Sequence, residues 1–313
     1  MAAPVRPITP ITLPRWAYQT VKRDGKRYRR TSRPWTWERL WANVHPSLDR
    51  PTFVLGAPRS GTTFLGDCIG ALPMMSYHFE PVATKAAARL VYEQAWSFER
   101  AQRFYRATYR WLMRIHGDGD LRFAEKTPRN AFIIPFLHRA FPAARFVHIV
   151  RDGRDAALSH SKKPWLQAAS APSGRHETGG YPFGPSPRFW VEPDRADEFE
   201  QTTDFHRCIW AWRRHVESIL DGTAELPTTQ HHTIRYEAFV HAPHNEVDRL
   251  LDFLDVPSGA VRDSAHREAS RARTDSVQNW RTELTPEQHR TALREAGPLL
   301  RQLGYQETEP APQ

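Results

Sequence analysis

Short apolar runs alternate with longer stretches of helical periodicity from about residue 52 to the end of the chain. Strands are predicted at residues 52–56, 76–79, 122–125, 146–150 and 233–236, and the first and fourth of these are largely apolar, as in buried strands. The helical spacing predicts helices near residues 35–43, 61–71, 82–116, 130–141, 154–161, from 204 onward, 245–254 and 286–300. This alternation predicts an α/β fold in which a central parallel sheet carries helices on both faces.

A glycine-bearing turn follows the first predicted strand and leads into a helix. Its residues, Gly56-Ala57-Pro58-Arg59-Ser60-Gly61-Thr62-Thr63, place two glycines at the spacing of the P-loop template G-x-x-x-x-G-K-[ST]. The backbone N–H groups of such a turn and the dipole of the helix both favour an anion. Thr62 replaces the lysine that an ATPase sets against its nucleotide, and the cation stands instead at Arg59. We therefore expect a P-loop-like three-layer sandwich that binds a phosphorylated ligand without hydrolysing a nucleotide.

A second strand–helix segment carries another candidate phosphate site. Its predicted strand ends at Arg151, and Ser159 follows eight positions later on the predicted helix. A guanidinium and a hydroxyl on a fixed frame suit a dianionic phosphate. Together the two segments resemble the phosphate-binding segments of sulfotransferases that use 3′-phosphoadenosine 5′-phosphosulfate (PAPS). The resemblance covers roughly residues 50–305 and implies that Arg151 and Ser159 bind the 3′-phosphate. It implies that the 5′-phosphosulfate is bound by Arg59, Ser60, Gly61, Thr62 and Thr63.

Further short segments extend this resemblance. Glu80 stands where tyrosylprotein-type and several bacterial sulfotransferases carry a catalytic glutamate. Lys126 lies in a segment similar to the family's lysine segment near the transferring group. Tyr236 matches a segment near the adenine, and Ser276 lies in a stretch similar to the late loop that covers the cofactor. Ligands of parallel sheets gather at the carboxyl ends of the strands, where Glu80 and Lys126 are predicted to lie.

The resemblance implies transfer of a sulfuryl group from PAPS to a hydroxyl, with PAP as the other product. Glu80 is expected to act as the general base, and Arg59 and Lys126 are expected to supply a positive field. His78 is an alternative base, because the unperturbed pKa of histidine lies nearer neutrality. No metal is expected, because fixed cations would take its role.

The acceptor is expected to be a hydroxyl of a small molecule, a carbohydrate or a natural product. Tyrosylprotein sulfotransferases place arginines shortly after their glutamate to hold acidic peptides, whereas this chain offers only Lys85 there. Residues 163–203 combine glycines and prolines with aromatic residues, and we interpret them as an acceptor-binding lid. Two other functions stay open, a P-loop nucleotide-dependent kinase and a non-catalytic anion-binding protein on the same fold.

Charge adds a basic N-terminal region to this picture. The 313 residues have a formal net charge of +9, and much of the excess lies in residues 22–33. We interpret this run as a solvated, partly mobile arm in which glycine argues against one continuous helix. Contact of the arm with an acidic membrane stays open, and a nucleic-acid partner is not expected. The predicted organisation is a basic arm with a short helix at 1–50, a sulfotransferase domain at 51–305 and a polar tail at 306–313.

Two negative observations bear on location and redox chemistry. The sequence has neither a secretory signal nor a stretch that could span a membrane, so a cytoplasmic enzyme is expected. Cys68 and Cys208 lie in apolar surroundings, which predicts buried thiols and no disulfide framework.

Overall fold

The computed structural model describes residues 5–28 and 33–305, apart from the side chains of residues 26 and 27. At its centre is a five-stranded sheet with the strand order β2-β3-β1-β4-β5, in which every neighbouring pair is parallel. The strands are β1 Thr52–Leu55, β2 Met75–Phe79, β3 Arg122–Lys126, β4 Arg145–Val150 and β5 His231–Arg235. Each lies within two residues of its predicted position.

Helices fill the connections between the strands and continue after the last one. They are α1 Leu13–Arg27, α2 Trp37–Val44, α3 Thr62–Gly70, α4 Val82–Tyr92, α5 Phe98–His116, α6 Ile134–Ala140, α7 Gly153–Ser161, α8 Ala196–Gln201, α9 Asp204–Thr223, α10 Tyr236–His241, α11 Pro243–Phe253, α12 Asp263–Ala269, α13 Trp280–Glu283 and α14 Pro286–Gln302. None of the helices in the described ranges is long and apolar enough to cross a membrane.

The two faces of the sheet carry separate hydrophobic cores. Successive side chains of a strand point to opposite faces. Phe53 and Leu55 belong to the core that α5, α9 and α14 cover, and Val54 belongs to the core that α3, α11 and α12 cover. This arrangement confirms the predicted α/β sandwich. Cys68 and Cys208 are buried free thiols within it, as predicted.

Two predicted helices are interrupted. The helical stretch predicted at 82–116 is divided into α4 and α5, because Gln94 adopts a positive φ of 55° between them and Ser97 caps the second helix. The helix predicted at 130–141 begins instead with a 3₁₀ turn over Pro128–Phe132, and α6 follows. Periodicity in the sequence does not reveal such local breaks, because the apolar residues keep their spacing across them.

The N-terminal region is more ordered than the sequence predicts. The sequence argues against one continuous helix across the basic run at 22–33, and α1 ends within this run at residue 27, but the helix does continue through Gly25. The packing of α1 on the rest of the protein outweighs the low helix propensity of this glycine. The indole of Trp16 is buried, and the Thr20 hydroxyl accepts a hydrogen bond from the backbone N–H of Ala83 at 3.0 Å. Parts of the N-terminal run and the predicted tail lie outside the described residues, at 29–32 and 306–313.

The segment interpreted as a lid, residues 163–203, contains short 3₁₀ turns and α8 but is otherwise irregular. Its own contacts hold it in place. The buried guanidinium of Arg188 donates to the carbonyls of Trp165 at 2.9 Å and Pro182 at 3.0 Å, and to the carboxylate of Glu177 at 3.1 Å. Arg188 therefore ties three parts of the segment to one another.

Candidate active site

The residues singled out in the sequence collect at one edge of the sheet. Each strand ends at one of them: β1 runs into the glycine turn, β2 into Glu80, β3 ends at Lys126, β4 runs into Arg151 and β5 into Tyr236. Because all five strands are parallel, these five ends meet at the same edge. The topology therefore brings together side chains that are far apart in sequence.

The turn after β1 leads directly into the N-terminus of α3. Gly61 precedes the first residue of α3 and has a φ of 88°, a conformation that favours glycine. A Cβ on Gly61 would lie 2.5 Å from a ring carbon of Tyr236, so a side chain could not fit there. Ser60 is fully buried, and its Oγ has no hydrogen-bond partner among the described residues. A buried hydroxyl in this state beside a helix N-terminus fits an anionic ligand.

The second predicted phosphate segment contacts the first one directly. Arg151 donates to the backbone carbonyl of Arg59 at 2.9 Å and also to that of Ser276. Its guanidinium lies 4.6 Å from the centre of the Tyr236 ring, and the Tyr236 hydroxyl lies 2.7 Å from Ser276 Oγ. The Arg59 side chain in turn donates to Ser159 Oγ at 3.1 Å. One connected group therefore contains both predicted ligands of this segment, the predicted adenosine-side residues Tyr236 and Ser276, and the arginine of the turn.

Two neighbouring guanidinium groups make this region electropositive. Partial burial, and then the nearby charge of Arg151, lower the pKa of the Arg59 guanidinium. The Nε atom of Arg151 is buried and has no partner within the described part of the chain. A bound dianion would offset the repulsion between the two cations and occupy the unused donors, so the residues present fit a phosphate-bearing cofactor.

A buried carboxylate with three cations lies at the neighbouring strand ends. Lys126 donates to Glu80 Oε1 at 2.6 Å, and Lys85 donates to Oε2 at 2.7 Å. Arg23, from α1, donates to the same Oε2 at 2.9 Å. Glu80 itself has a φ of 46°, which is uncommon for a residue other than glycine and is found most often at functional sites.

The charges around Glu80 fix its ionisation state. Burial alone would raise the pKa of the Glu80 carboxyl, but Lys126, Lys85 and Arg23 together lower it well below its usual range. Burial also lowers the pKa of Lys126, and the ion pair with Glu80 opposes that shift. The site thus holds an ionised carboxylate in a positive surrounding, which stabilises negative charge that develops beside it.

A cavity of about 770 Å³ opens beside this carboxylate. The glycine turn contributes Arg59, Thr62 and Thr63 to its wall, next to Glu80 and Lys126. Four other parts of the chain also line it: the segment before α1, α1 itself, the lid segment and α9. These parts contribute Arg6, Lys22, Arg23, Trp165, His176, Glu177, Thr178, Phe183, Arg188, Trp190, Ala211 and His215.

His78, the alternative base, is buried away from this cavity. Its Nδ1 lies 3.0 Å from Asp24 Oδ2, and its Nε2 lies 3.0 Å from Ser76 Oγ. His116 Nε2 lies 2.7 Å from the same Asp24 oxygen, so three potential metal ligands lie within 4.8 Å of one another. Sequence reasoning found no metal-binding motif, because these residues come from α1, β2 and α5. The hydrogen bonds account for their positions, and they tie α1 to the sheet.

Sequence reasoning missed several residues at the site. Arg23 was assigned to a solvated run, and nothing in its local sequence indicates a contact with a carboxylate 57 residues away. His160 and His215 line the cavity as buried rings. Burial, and for His160 the charge of Arg59, lowers the pKa of His160 to about 4. Burial lowers that of His215 to about 3. Both rings are therefore neutral hydrogen-bonding groups at physiological pH.

Comparison with known proteins points to one family. Residues 51–181 and 189–259, more than half of the chain, match the model of a family described as the sulfotransferase family. The chain is 25% identical over 235 residues to an uncharacterized protein of Aquifex aeolicus, covering 70% of this chain and 27% of that protein. It is 22% identical over 289 residues to protein-tyrosine sulfotransferase A of Caenorhabditis elegans, covering 81% of this chain and 66% of that protein.

The chain therefore spans about a quarter of the first relative and just under two thirds of the second. Among solved structures, the sulfotransferase STF9 from Mycobacterium avium has a TM-score of 0.52 and 15% sequence identity. The match covers 96% of this chain and 87% of that one. At this identity the likeness supports the fold.

Proposed function

Because the chain belongs to the sulfotransferase family, we propose that it transfers the sulfuryl group of PAPS to a hydroxyl of a small-molecule, carbohydrate or natural-product acceptor. One observation carries the proposal. The two phosphate segments are joined through Arg151 and the carbonyl of Arg59, and Glu80 with its cations lies at the same sheet edge. Donor binding and proton removal then take place next to each other.

The residues that would hold the donor lie on two neighbouring strand ends. The N–H groups of the glycine turn, with Ser60 and Thr62, suit the 5′-phosphosulfate, while Arg151 and Ser159 suit the 3′-phosphate. Tyr236 and Ser276 would line the adenosine side. Bound PAPS supplies the sulfuryl group, whose bond to the bridging phosphate oxygen is exchanged for a bond to the acceptor oxygen, and PAP is released.

Glu80 is the proposed general base. In the structure, three cations suppress its basicity. The negative charge of a bound donor next to Lys126 would offset part of this positive field, so the pKa of the Glu80 carboxyl would rise toward the usual range. The carboxylate then takes the proton of the acceptor hydroxyl. His78 suits this role less well, because both of its nitrogens have partners outside the cavity.

Lys126 and Arg59 are the proposed source of the positive field. Lys126 reaches the cavity from the end of β3 and lies 4.0 Å from the centre of the Phe79 ring, which restricts its movement. Arg59 extends from the turn on the donor side. Fixed cations at both ends of the transferring group stabilise its charge without having to reorganise during the reaction.

The cavity supports an acceptor small enough to be enclosed. Its wall mixes aromatic rings such as Trp165 and Phe183 with polar donors, which suits a ring-bearing molecule with hydroxyl groups. The C. elegans relative acts on protein tyrosine, according to its name. Here residues of α1 and of the lid segment narrow the cavity from two sides, which favours a free small molecule over a side chain on a folded protein.

The proposal is tested by transfer of label from PAPS across a panel of sugar, phenolic, lipid and peptide hydroxyls. Arg59→Ala serves as the blank, because it removes the cation of the turn. Label transfer to a small-molecule hydroxyl by the wild-type chain, and not by the variant, is expected. Transfer to peptide tyrosine alone would overturn the acceptor class but leave the reaction class intact.

Calorimetry distinguishes the two alternative functions. A kinase would bind ATP with Mg²⁺ more tightly than PAP, whereas Thr62 leaves this turn without the lysine that such enzymes use. A non-catalytic anion-binding protein would bind PAP but transfer label to no acceptor. We expect PAP to bind more tightly than ATP.

A further inference from the structure

The wall of the cavity carries far more positive than negative charge. Eight arginine and lysine residues line it, against two carboxylates, Glu80 and Glu177. A typical small-molecule site is lined mainly by apolar and aromatic side chains, with a few polar groups that fix the orientation of the ligand. The excess of cations therefore favours ligands that are themselves negatively charged.

Six of the eight cations already have a partner or a proposed role. Three of them bind Glu80, and Arg59 belongs to the glycine turn. The carboxylate of Glu177 accepts from Arg188 at 3.1 Å and lies 3.3 Å from the guanidinium of Arg129. Two cations of the wall are left without an assigned function.

The two remaining cations are Arg6 and Lys22. Neither forms an ion pair with a carboxylate among the side chains that the structure describes. The Arg6 guanidinium lies 3.5 Å from His176 Nδ1, and the Lys22 ammonium lies 5.7 Å from the centre of the Tyr18 ring. Burial, and then the nearby charge of Arg15, lower the pKa of the Arg6 guanidinium. A bound anion would offset this repulsion and supply the missing partner for both cations.

The positions of these two cations connect them to the acceptor. Lys22 directly precedes Arg23 in α1, and successive side chains of a helix point about 100° apart, so Lys22 lines the cavity beside the contact with the proposed base. The backbone N–H of Arg6 donates to the carbonyl of Gly180 at 3.1 Å. Gly180 follows two residues after Thr178, whose hydroxyl accepts from Arg23 at 2.7 Å. Both cations therefore belong to the part of the wall that the N-terminal segments and the lid segment form.

We propose that Arg6 and Lys22 bind an anionic group of the acceptor, so that the acceptor is a hydroxyl compound that also carries a carboxylate or a phosphate. This inference rests on the proposed function, because it narrows the acceptor class of that reaction. Carboxylate and phosphate oxygens accept charge-assisted hydrogen bonds from a guanidinium and an ammonium. An acceptor held in this way at its anionic end would present its hydroxyl to Glu80, since Lys22 adjoins a residue that contacts this carboxylate.

Titration calorimetry on the full chain saturated with PAP tests the proposal, because PAP would occupy the phosphate segments. The probes are matched sets that differ in one anionic group. Tyrosol is compared with 4-hydroxyphenylacetate, and glucose is compared with glucuronate and glucose 6-phosphate. The wild-type chain should bind an anionic probe about tenfold more tightly, or better, than its neutral counterpart. A preference for glucuronate or for glucose 6-phosphate would support the proposal and distinguish a carboxylate from a phosphate.

Three variants assign this preference to the two cations. Arg6→Gln and Lys22→Gln should each lose most of the preference for the anionic probe, and Arg6→Lys should keep it because the charge is retained. The affinities for the neutral probes and for PAP should not change. Arg15→Gln is the matched control, because it removes a cation near Arg6 that does not line the cavity. Its affinity for the anionic probes should stay within about twofold of the wild-type value, because exposed charges are screened by solvent.

Two results would overturn the proposal. One is that no anionic probe binds the wild-type chain more tightly than its neutral counterpart. The other is that the preference persists in Arg6→Gln and Lys22→Gln, or is lost equally in Arg15→Gln, which would indicate a general effect of charge. Failure of PAP to bind would refute the proposed function and this inference with it. PAP binding without a preference for anionic probes would refute this inference alone.

Discussion

Arg151 donates a hydrogen bond to the backbone carbonyl of Arg59 at 2.9 Å. The residue expected to bind one phosphate of the donor therefore also holds the turn expected to bind the other. If both residues bind the donor as proposed, binding at its two ends would be coupled through this contact, because movement of the turn would displace the guanidinium.

Arg151→Lys should weaken PAP binding by about tenfold or more, because an ammonium cannot bridge two carbonyls and a phosphate as a planar guanidinium does. Titration calorimetry measures the effect. Arg50→Lys is the control, since Arg50 only pairs with Asp255 on the surface. Equal PAP affinities of Arg151→Lys and the wild type would contradict the assignment of Arg151.

Glu80→Gln should lower turnover by about two to four orders of magnitude, because the amide cannot take a proton from the acceptor. PAP affinity should change little, since Glu80 lies outside the phosphate segments. Radiolabel transfer and calorimetry separate the two effects. The role of Glu80 as base would be wrong if this variant kept nearly full turnover while a folded His78→Asn variant lost it.

Arg23→Ala removes one of the three cations that lower the pKa of Glu80. The pKa of that carboxyl should rise, so the acid limb of the pH–rate profile should move to higher pH. Arg15→Ala, at an exposed position of the same helix, should leave the profile unchanged. An identical shift in both variants would indicate a general effect of charge and not the contact with Glu80.

Gly61→Ala should lower the free energy of unfolding by about 1–3 kcal/mol, because the positive φ strains an alanine, and the new methyl would contact Tyr236. PAP binding should weaken as Tyr236 is displaced. Gly174→Ala places an alanine in the same left-handed region, at a φ of 62° and a ψ of 6°, but has nothing within 4 Å of the added Cβ. This control should lose stability and keep its affinity for PAP. An equal loss of PAP affinity in both glycine variants would refute the steric explanation.

The fully buried His148 should make stability depend on pH. Burial lowers its pKa to about 3 in the folded chain, whereas an unfolded chain has the ordinary value of about 6.5. Between these two pH values the unfolded state binds more protons than the folded state. The folded state is therefore not penalised by His148 above about pH 6.5, and the free energy of unfolding decreases as the pH falls below that value.

His148→Leu should flatten this dependence by at most about 1.4 kcal/mol per pH unit, because it removes one titrating group. Denaturant unfolding between about pH 4 and pH 7 measures the slope. His215 and His160 remain to titrate, so some slope is expected to persist in the variant. The same slope in variant and wild type would show that His148 is not the group concerned.

The sequence was sufficient for the sheet and for one half of the site. β1 and β4 are largely apolar runs, and the residues at the strand ends, such as Lys126 and Arg151, end or directly follow their strands. Glu80 could be located in the same way because it follows β2 directly. These positions follow from the rule that ligands gather at the carboxyl ends of parallel strands.

The other half of the site depends on contacts between distant segments. Arg23 and Thr178 come from α1 and the lid segment, and they meet each other through a 2.7 Å hydrogen bond. No periodicity relates two residues that are 155 positions apart. The basic run was also predicted to be solvated, because the sequence does not reveal that Arg23 pairs with the buried Glu80.

The position of α1 has a practical consequence for engineering this protein. The family match begins at residue 51, whereas Asp24 and Arg23 precede it and attach to the histidine pair and to Glu80. A shortened chain that starts at the match would retain every recognisable motif. It would also expose the cavity and release the glutamate from one of its three cations, so an inactive truncated product would say little about the motifs themselves.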